Sequence, residues 1–219
     1  MVPASLALTA LLAACASHPP APDWQDNARG AMDRAVGAYL AGDSRAEAQE
    51  FDRARSEVAR TGRPDLVARA ELMRCASHVA SLVFEPCEGF ERLRADAAPP
   101  EVAYAEYLAA HRLGRDDIER LPPAQRAAAA AVAGGAISPG TLQEMADPLS
   151  RLIAVAVLFQ AGQASPQMIA LAVDTASAQG WRRPLLAWLR VQALRAEQAG
   201  DRAEVQRLQR RIELVGTGR

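Results

Sequence analysis

Apolar residues recur along almost the whole chain at the three- and four-residue spacing of an amphipathic α-helix. The first such segment runs from residue 24 to residue 41, with Ala28, Met32, Ala35 and Tyr39 on one face. Further helices are predicted at 44–60, 65–82, 87–95, 99–113, 122–132, 149–161, 166–179, 184–199 and 202–215. The pattern therefore predicts an all-α protein.

Glycine and proline separate these segments at short intervals, for example at Gly42, Pro64, Gly162 and Gly200. Short connections between helices favour antiparallel neighbours. We therefore predict that residues 24–219 form a single domain of helical hairpins. This length is sufficient to bury roughly 70% of the surface of the unfolded chain.

Two of the predicted hairpins resemble tetratricopeptide repeats. The first has Tyr39, the turn Gly42-Asp43, Phe51 and Ala54 at the positions of that family's aromatic, turn and small residues. The second fits less closely, with Trp188, Ala193, Ala196, Gly200-Asp201, Leu208 and Ile212. The resemblance implies hairpins stacked as a TPR-like α-solenoid, in which each hairpin packs on its neighbours.

The beginning of the chain carries a different signal. Residues 2–14 are apolar or small and are too few to span a bilayer. The sequence Leu12-Ala13-Ala14-Cys15 resembles the lipobox of bacterial lipoproteins. The resemblance implies a cleaved signal peptide at 1–14, and a diacylglycerol and a further acyl chain on Cys15.

The residues after Cys15 predict the position of the folded body. A Pro-rich tether at 15–23 favours an extended conformation that holds the body away from the lipid. Ala16 follows the cysteine where an Asp would favour inner-membrane retention in this family. The resemblance therefore implies the periplasmic face of the outer membrane, with the membrane as one partner.

The amino-acid composition excludes several kinds of binding and catalytic site. The net charge is −1, which argues against a nucleic-acid partner. All 25 basic residues are arginine, so a Schiff base, a phosphate-loop lysine and a serine–lysine dyad are excluded. We expect no cofactor other than the covalent lipid.

Cys75 and Cys87 would remain after cleavage, and an even count in an exported chain favours a disulfide. On one continuous helix their Cα atoms would lie ~18 Å apart, beyond the ~4.4–6.8 Å that a disulfide allows. We therefore predict that the chain from about Leu82 to Pro86 leaves the helix and runs back along it. Two alternatives are free buried thiols and a metal site formed by Cys75, His78 and Cys87.

Candidate partner-binding residues lie in two places. Tyr104 and Tyr107 have helical spacing and could line a groove or belong to the core. Residues 180–219 contain nine arginines and four acidic residues, a cationic surplus that could dock an acidic partner. The candidates there are Trp181, Arg182, Arg183, Trp188 and Arg190.

These features favour a non-enzymatic scaffold or assembly factor that binds an envelope protein or peptide. The first alternative is an enzyme acting on envelope material such as peptidoglycan, which would need a carboxylate of raised pKa in a cleft. The second is a carrier of a small ligand or metal, built on Cys75, His78 and Cys87.

Overall fold

The computed structural model describes residues 22–217, and within that range the chain is helical and contains no β-strand. The predicted signal peptide, Cys15 and most of the tether lie outside the described residues. The helices are α1 (Asp23–Ala41), α2 (Ser44–Ala59), α3 (Pro64–Ala80), α4 (Glu88–Glu91), α5 (Pro99–Leu108), α6 (Arg115–Arg120), α7 (Pro123–Val132), α8 (Pro139–Gln143), α9 (Pro148–Gln160), α10 (Pro166–Ala178), α11 (Arg182–Gln198) and α12 (Arg202–Thr217). The all-α prediction is confirmed.

Local chemistry sets most helix boundaries. Proline occupies the first turn of α3, α5, α7, α8, α9 and α10, where its missing N–H breaks no helical hydrogen bond. At the other end of α1, Gly42 adopts a left-handed conformation with φ 96°, which a glycine reaches without strain. Asp43 then caps α2 by accepting from the backbone N–H of Arg45 and Ala46.

The segment that joins α3 to α4 folds back as predicted. Helix α3 ends at Ala80, and Leu82 takes a positive φ of 62°. Residues 83–87 are non-helical and return along α3. The Cα atoms of Cys75 and Cys87 are 5.8 Å apart, and the two residues form a disulfide.

Helix α9 lies at the centre of the domain. Its seven residues from Leu152 to Leu158 are all buried, and the helix contacts α3, α5, α7, α8 and α10. An α-helix that is apolar on every side needs neighbours on every side. No helix within residues 22–217 has the length and apolar character needed to cross a membrane.

The two ends of the described chain meet. Helix α1 packs against α11, and Arg183 on α11 donates to the backbone oxygen of Tyr39, 144 positions earlier. In a solenoid each hairpin contacts only its neighbours in the chain. The contacts of α1 with α11 and of α3 with α9 depart from that arrangement. The main core extends from α3 to α12, and α1 and α2 pack on α3 in two smaller clusters.

Candidate functional site

A groove of about 510 Å³ lies between α3 and the first turns of α5 and α7. Its apolar surface comes from Leu72 and Leu121, which are buried, and from the half-buried ring of Tyr104. Met73 stands at the rim with 44% of its surface exposed, although large apolar residues are otherwise mostly buried in the described chain. The groove therefore presents apolar surface that no described residue covers.

Two proline pairs place the helix ends that form one wall of this groove. Pro99 and Pro100 begin α5, and Pro122 and Pro123 stand at the beginning of α7. Proline fixes φ and is favoured in the first helical turn, so each pair marks the end of the preceding loop and the beginning of the helix. Glu101 is consequently held in the first turn of α5 and faces α3.

Glu101 is the buried polar group of the groove, with 6% of its surface exposed. Its Oε1 accepts from Nε of Arg69 at 2.8 Å and from Nη2 of the same side chain at 2.5 Å. Its Oε2 is buried and has no hydrogen-bond partner among the described residues. A buried acceptor without a partner costs about 1–3 kcal/mol, so a donor that reached Oε2 would recover that free energy.

The three arginines along the groove are used differently. Arg69 pairs with Glu101, and Arg120 pairs with Asp117 at 2.5 Å. Arg126 donates from Nε to the backbone oxygen of Leu121 at 2.9 Å and forms no ion pair within residues 22–217. The groove thus has one guanidinium whose charge no described carboxylate balances.

The two predicted tyrosines have separate roles. The ring of Tyr104 lines the groove, and burial raises the pKa of its hydroxyl, with the charge of Asp147 acting in the same direction. Tyr107 is buried and donates to Oε1 of Gln125 at 2.6 Å. Tyr107 therefore belongs to the core, which is the second of the two alternatives that its helical spacing left open, and it does not line the groove.

Trp188 also belongs to the core, which corrects its assignment as a partner-binding residue. It is fully buried, its ring packs edge-on against Phe159 with centroids 5.6 Å apart, and Nε1 donates to the backbone oxygen of Ala80. The sequence shows an aromatic residue on a cationic helix but does not show which side of that helix is covered. The contacts with α3 and α9 bury the side of α11 that carries Trp188.

The cationic residues beside Trp188 are partly engaged within the chain. Arg183 donates to the backbone oxygen of Tyr39 at 2.7 Å and to Oγ of Ser44 at 2.8 Å. Arg182 donates to the backbone oxygen of Gly216, and Trp181 is half-buried against the main core. Only Arg190 of the five predicted residues is exposed and has no side-chain hydrogen bond to the described chain.

A second cavity, of about 780 Å³, lies beside the disulfide and is lined by charges of both signs. Arg55 and Glu71 pair across it at 2.9 Å. His78 lines it, stacked on Tyr39 with ring centroids 4.2 Å apart, and its Nε2 is buried without a partner. Burial lowers the pKa of His78.

Two of the alternatives proposed from the sequence, a metal site and a hydrolase carboxylate, can be compared with this geometry. The disulfide occupies both cysteines of the imagined metal site and leaves His78 alone, and residues 22–217 contain no cluster of three metal-ligating side chains. Glu101 lies in a groove, but its ion pair with Arg69 differs from the unpaired carboxylate that a hydrolase would need.

Comparison of the chain with protein-family models, with curated proteins and with solved structures finds no match. The groove must therefore be interpreted from its own residues. Met73, Glu101 and Arg126 were not identified by sequence reasoning. The available signal was a glutamate directly after a proline pair, which places a carboxylate in the first turn of a helix.

Proposed function

We propose that this chain is a lipid-anchored protein of the bacterial envelope that binds another envelope protein or peptide without catalysing a reaction. The groove between α3, α5 and α7 is its binding site. The first TPR-like hairpin of the sequence has a structural role in this proposal, because the α1–α2 pair packs against α3 and α11.

The observation that carries the proposal is the combination of surfaces in one groove. An exposed Met73 and a half-buried Tyr104 provide apolar contact area, and Oε2 of Glu101 provides a buried acceptor that lacks a donor. Binding sites in proteins commonly combine an apolar lining with a few placed polar groups of this kind.

The proposed location rests on the sequence around Cys15. Two or more acyl chains hold a protein stably on a membrane, since each buried methylene contributes about 0.8 kcal/mol. The anchor is tested by the mass of the N-terminal peptide of the protein purified from membranes. The proposal expects a peptide that begins at a triacylated Cys15, and a peptide that retains residues 1–14 would contradict it.

The binding role is tested by chemical crosslinking in intact envelopes. Three chains are compared, the wild type, Met73→Arg in the groove and Leu194→Arg on the exposed side of α11. The proposal expects a crosslinked protein that is recovered with the wild type and with Leu194→Arg and is lost with Met73→Arg. Equal recovery with all three chains would contradict a role for the groove.

A further inference from the structure

We infer that the groove between α3, α5 and α7 selects an acidic, apolar peptide in an extended conformation. The inference rests on the proposed function and adds the chemistry of the partner. Three features of the groove support it, namely the electrostatic field of two helix ends, one uncompensated arginine and the buried oxygen of Glu101.

The first feature is the orientation of two helices. Helices α5 and α7 contain ten residues each, and both begin at the groove, at Pro99 and Pro123. The N-terminal end of a helix carries about half a positive charge. The first turn of α7 contains no acidic residue, and the one acid in the first turn of α5 is Glu101, which Arg69 neutralises. The field of both ends therefore favours an anion.

The second feature is the guanidinium of Arg126. Its Nε donates a hydrogen bond to the backbone oxygen of Leu121. The guanidinium is exposed and forms no ion pair with a carboxylate in the described part of the chain. A guanidinium offers further N–H donors in one plane, a geometry suited to a carboxylate. An aspartate or glutamate of the bound peptide would pair with this group.

The third feature distinguishes a peptide from a simple anion. Oε2 of Glu101 is more than nine-tenths buried and accepts no hydrogen bond from the described residues, so a ligand N–H that reached this oxygen would supply the missing donor. Because Arg69 already balances the carboxylate, an uncharged N–H is sufficient. The backbone of an extended peptide carries such N–H groups beside its side chains.

The apolar part of the ligand would pack on Met73 and Tyr104. Methionine is flexible and adapts to differently shaped apolar side chains, and an aromatic ring provides a rigid surface. An alternation of apolar and acidic side chains places the two kinds of group on opposite sides of an extended backbone. One side would face Met73 and Tyr104, and the other would reach Arg126.

The test uses fluorescence anisotropy on the purified domain in its full folded form. The probe is a fluorescein-labelled, C-amidated octapeptide of alternating leucine and aspartate. One matched peptide has lysine in place of aspartate, and another has serine in place of leucine. The inference expects the leucine–aspartate peptide to bind at least tenfold more tightly than either matched peptide.

Two substitutions locate the binding site. Arg126→Gln removes the unpaired positive charge from the groove and should lower the affinity for the acidic peptide about tenfold. Arg210→Gln removes another exposed arginine, on α12, and should leave the affinity unchanged. Met73→Ala provides a second groove variant that keeps every charge and should also weaken binding. Circular dichroism establishes that each variant is folded.

Several results would overturn the inference. They are the absence of binding by the leucine–aspartate peptide, equal or tighter binding of the lysine peptide, and equal effects of Arg126→Gln and Arg210→Gln. Crosslinking at Met73 in envelopes does not depend on these peptides. If position 73 forms a crosslink in envelopes but the purified protein does not prefer the acidic peptide, the proposed partner chemistry is refuted and the proposed binding role is retained.

Discussion

The indole Nε1 of Trp188 donates a hydrogen bond to the backbone oxygen of Ala80, 3.2 Å away, and joins two positions 108 residues apart in the chain. Ala80 is the last residue of α3, and Trp188 lies in the middle of α11. The bond therefore fixes the end of α3 immediately before the chain turns back at Leu82 towards the disulfide.

Replacing Trp188 by Phe should destabilise the domain by about 1–3 kcal/mol. The substitution retains an aromatic ring but removes the donor, which leaves the oxygen of Ala80 buried without a partner. Urea unfolding followed by circular dichroism measures the change. Trp181→Phe is the matched control, because Trp181 is only half-buried and its indole donates no hydrogen bond to a described residue. A stability change as large in the control would contradict the assignment.

The disulfide should stabilise the folded chain by about 3 kcal/mol, as the chain-entropy account gives for a closed loop of this size. We expect a reducing agent to lower the urea midpoint of the wild type. The double variant Cys75→Ala, Cys87→Ala should have the lower midpoint from the beginning and should not respond to the reducing agent. A wild-type midpoint that is insensitive to reduction would argue against a bond between these residues.

Removing the hydroxyl group from each of the two tyrosines of α5 should affect stability differently. Tyr107→Phe removes the donor to Gln125, whose own amide bonds the backbone oxygen of Ser150, and should cost about 1–3 kcal/mol of stability. Tyr104→Phe should change stability little, because the Tyr104 hydroxyl forms no hydrogen bond with the described residues. Thermal unfolding of both variants measures the difference, and equal losses would contradict these positions.

His78 should make stability dependent on pH. Burial lowers its pKa below the ordinary value of 6.5, with Arg74 and Arg183 acting in the same direction and Glu47 and Glu85 opposing. The unfolded chain therefore binds this proton first as the pH falls. The stabilising contribution is complete above about pH 6.5 and is lost as the pH falls from there to the lower pKa of the folded state.

Urea unfolding at several pH values between about 7.5 and 5 tests this expectation. His78→Leu should reduce the slope of stability against pH, whatever its effect on stability itself. His111→Gln, on the exposed end of the α5 region beside Glu106, controls for the loss of a histidine. An unchanged slope in His78→Leu would show that His78 is not the group that titrates.

The helices were predictable because their signals are local. The spacing of apolar residues sets each helical face, and prolines and glycines such as Pro64, Gly42 and Gly162 stop most helices within a residue or two of the predicted ends. The helices predicted at 87–95 and 99–113 are shorter than expected and end at Glu91 and Leu108. The returning segment at 82–86 was also predictable, because Cys75 and Cys87 could approach each other only if the chain left the helix there.

The closure of the chain was not predictable, since it depends on which helical faces meet over long separations. Their composition predicted that Arg183 and Trp188 belong to a surface patch. In the folded chain Arg183 donates to the backbone oxygen of Tyr39, and Trp188 donates to that of Ala80. The groove was missed for the same reason. Met73, Glu101 and Arg126 come from three helices, and no short stretch of sequence contains more than one of them.

The most direct test of the account is photo-crosslinking in living cells, with benzoylphenylalanine at position 73 or at position 194. Each chain is made with Cys15 and with the substitution Cys15→Ser. The account predicts one protein adduct of defined mass from position 73, dependent on Cys15, and none from position 194. An adduct from position 194 alone, or one from position 73 that forms equally with Cys15→Ser, would contradict an anchored protein that binds its partner in this groove.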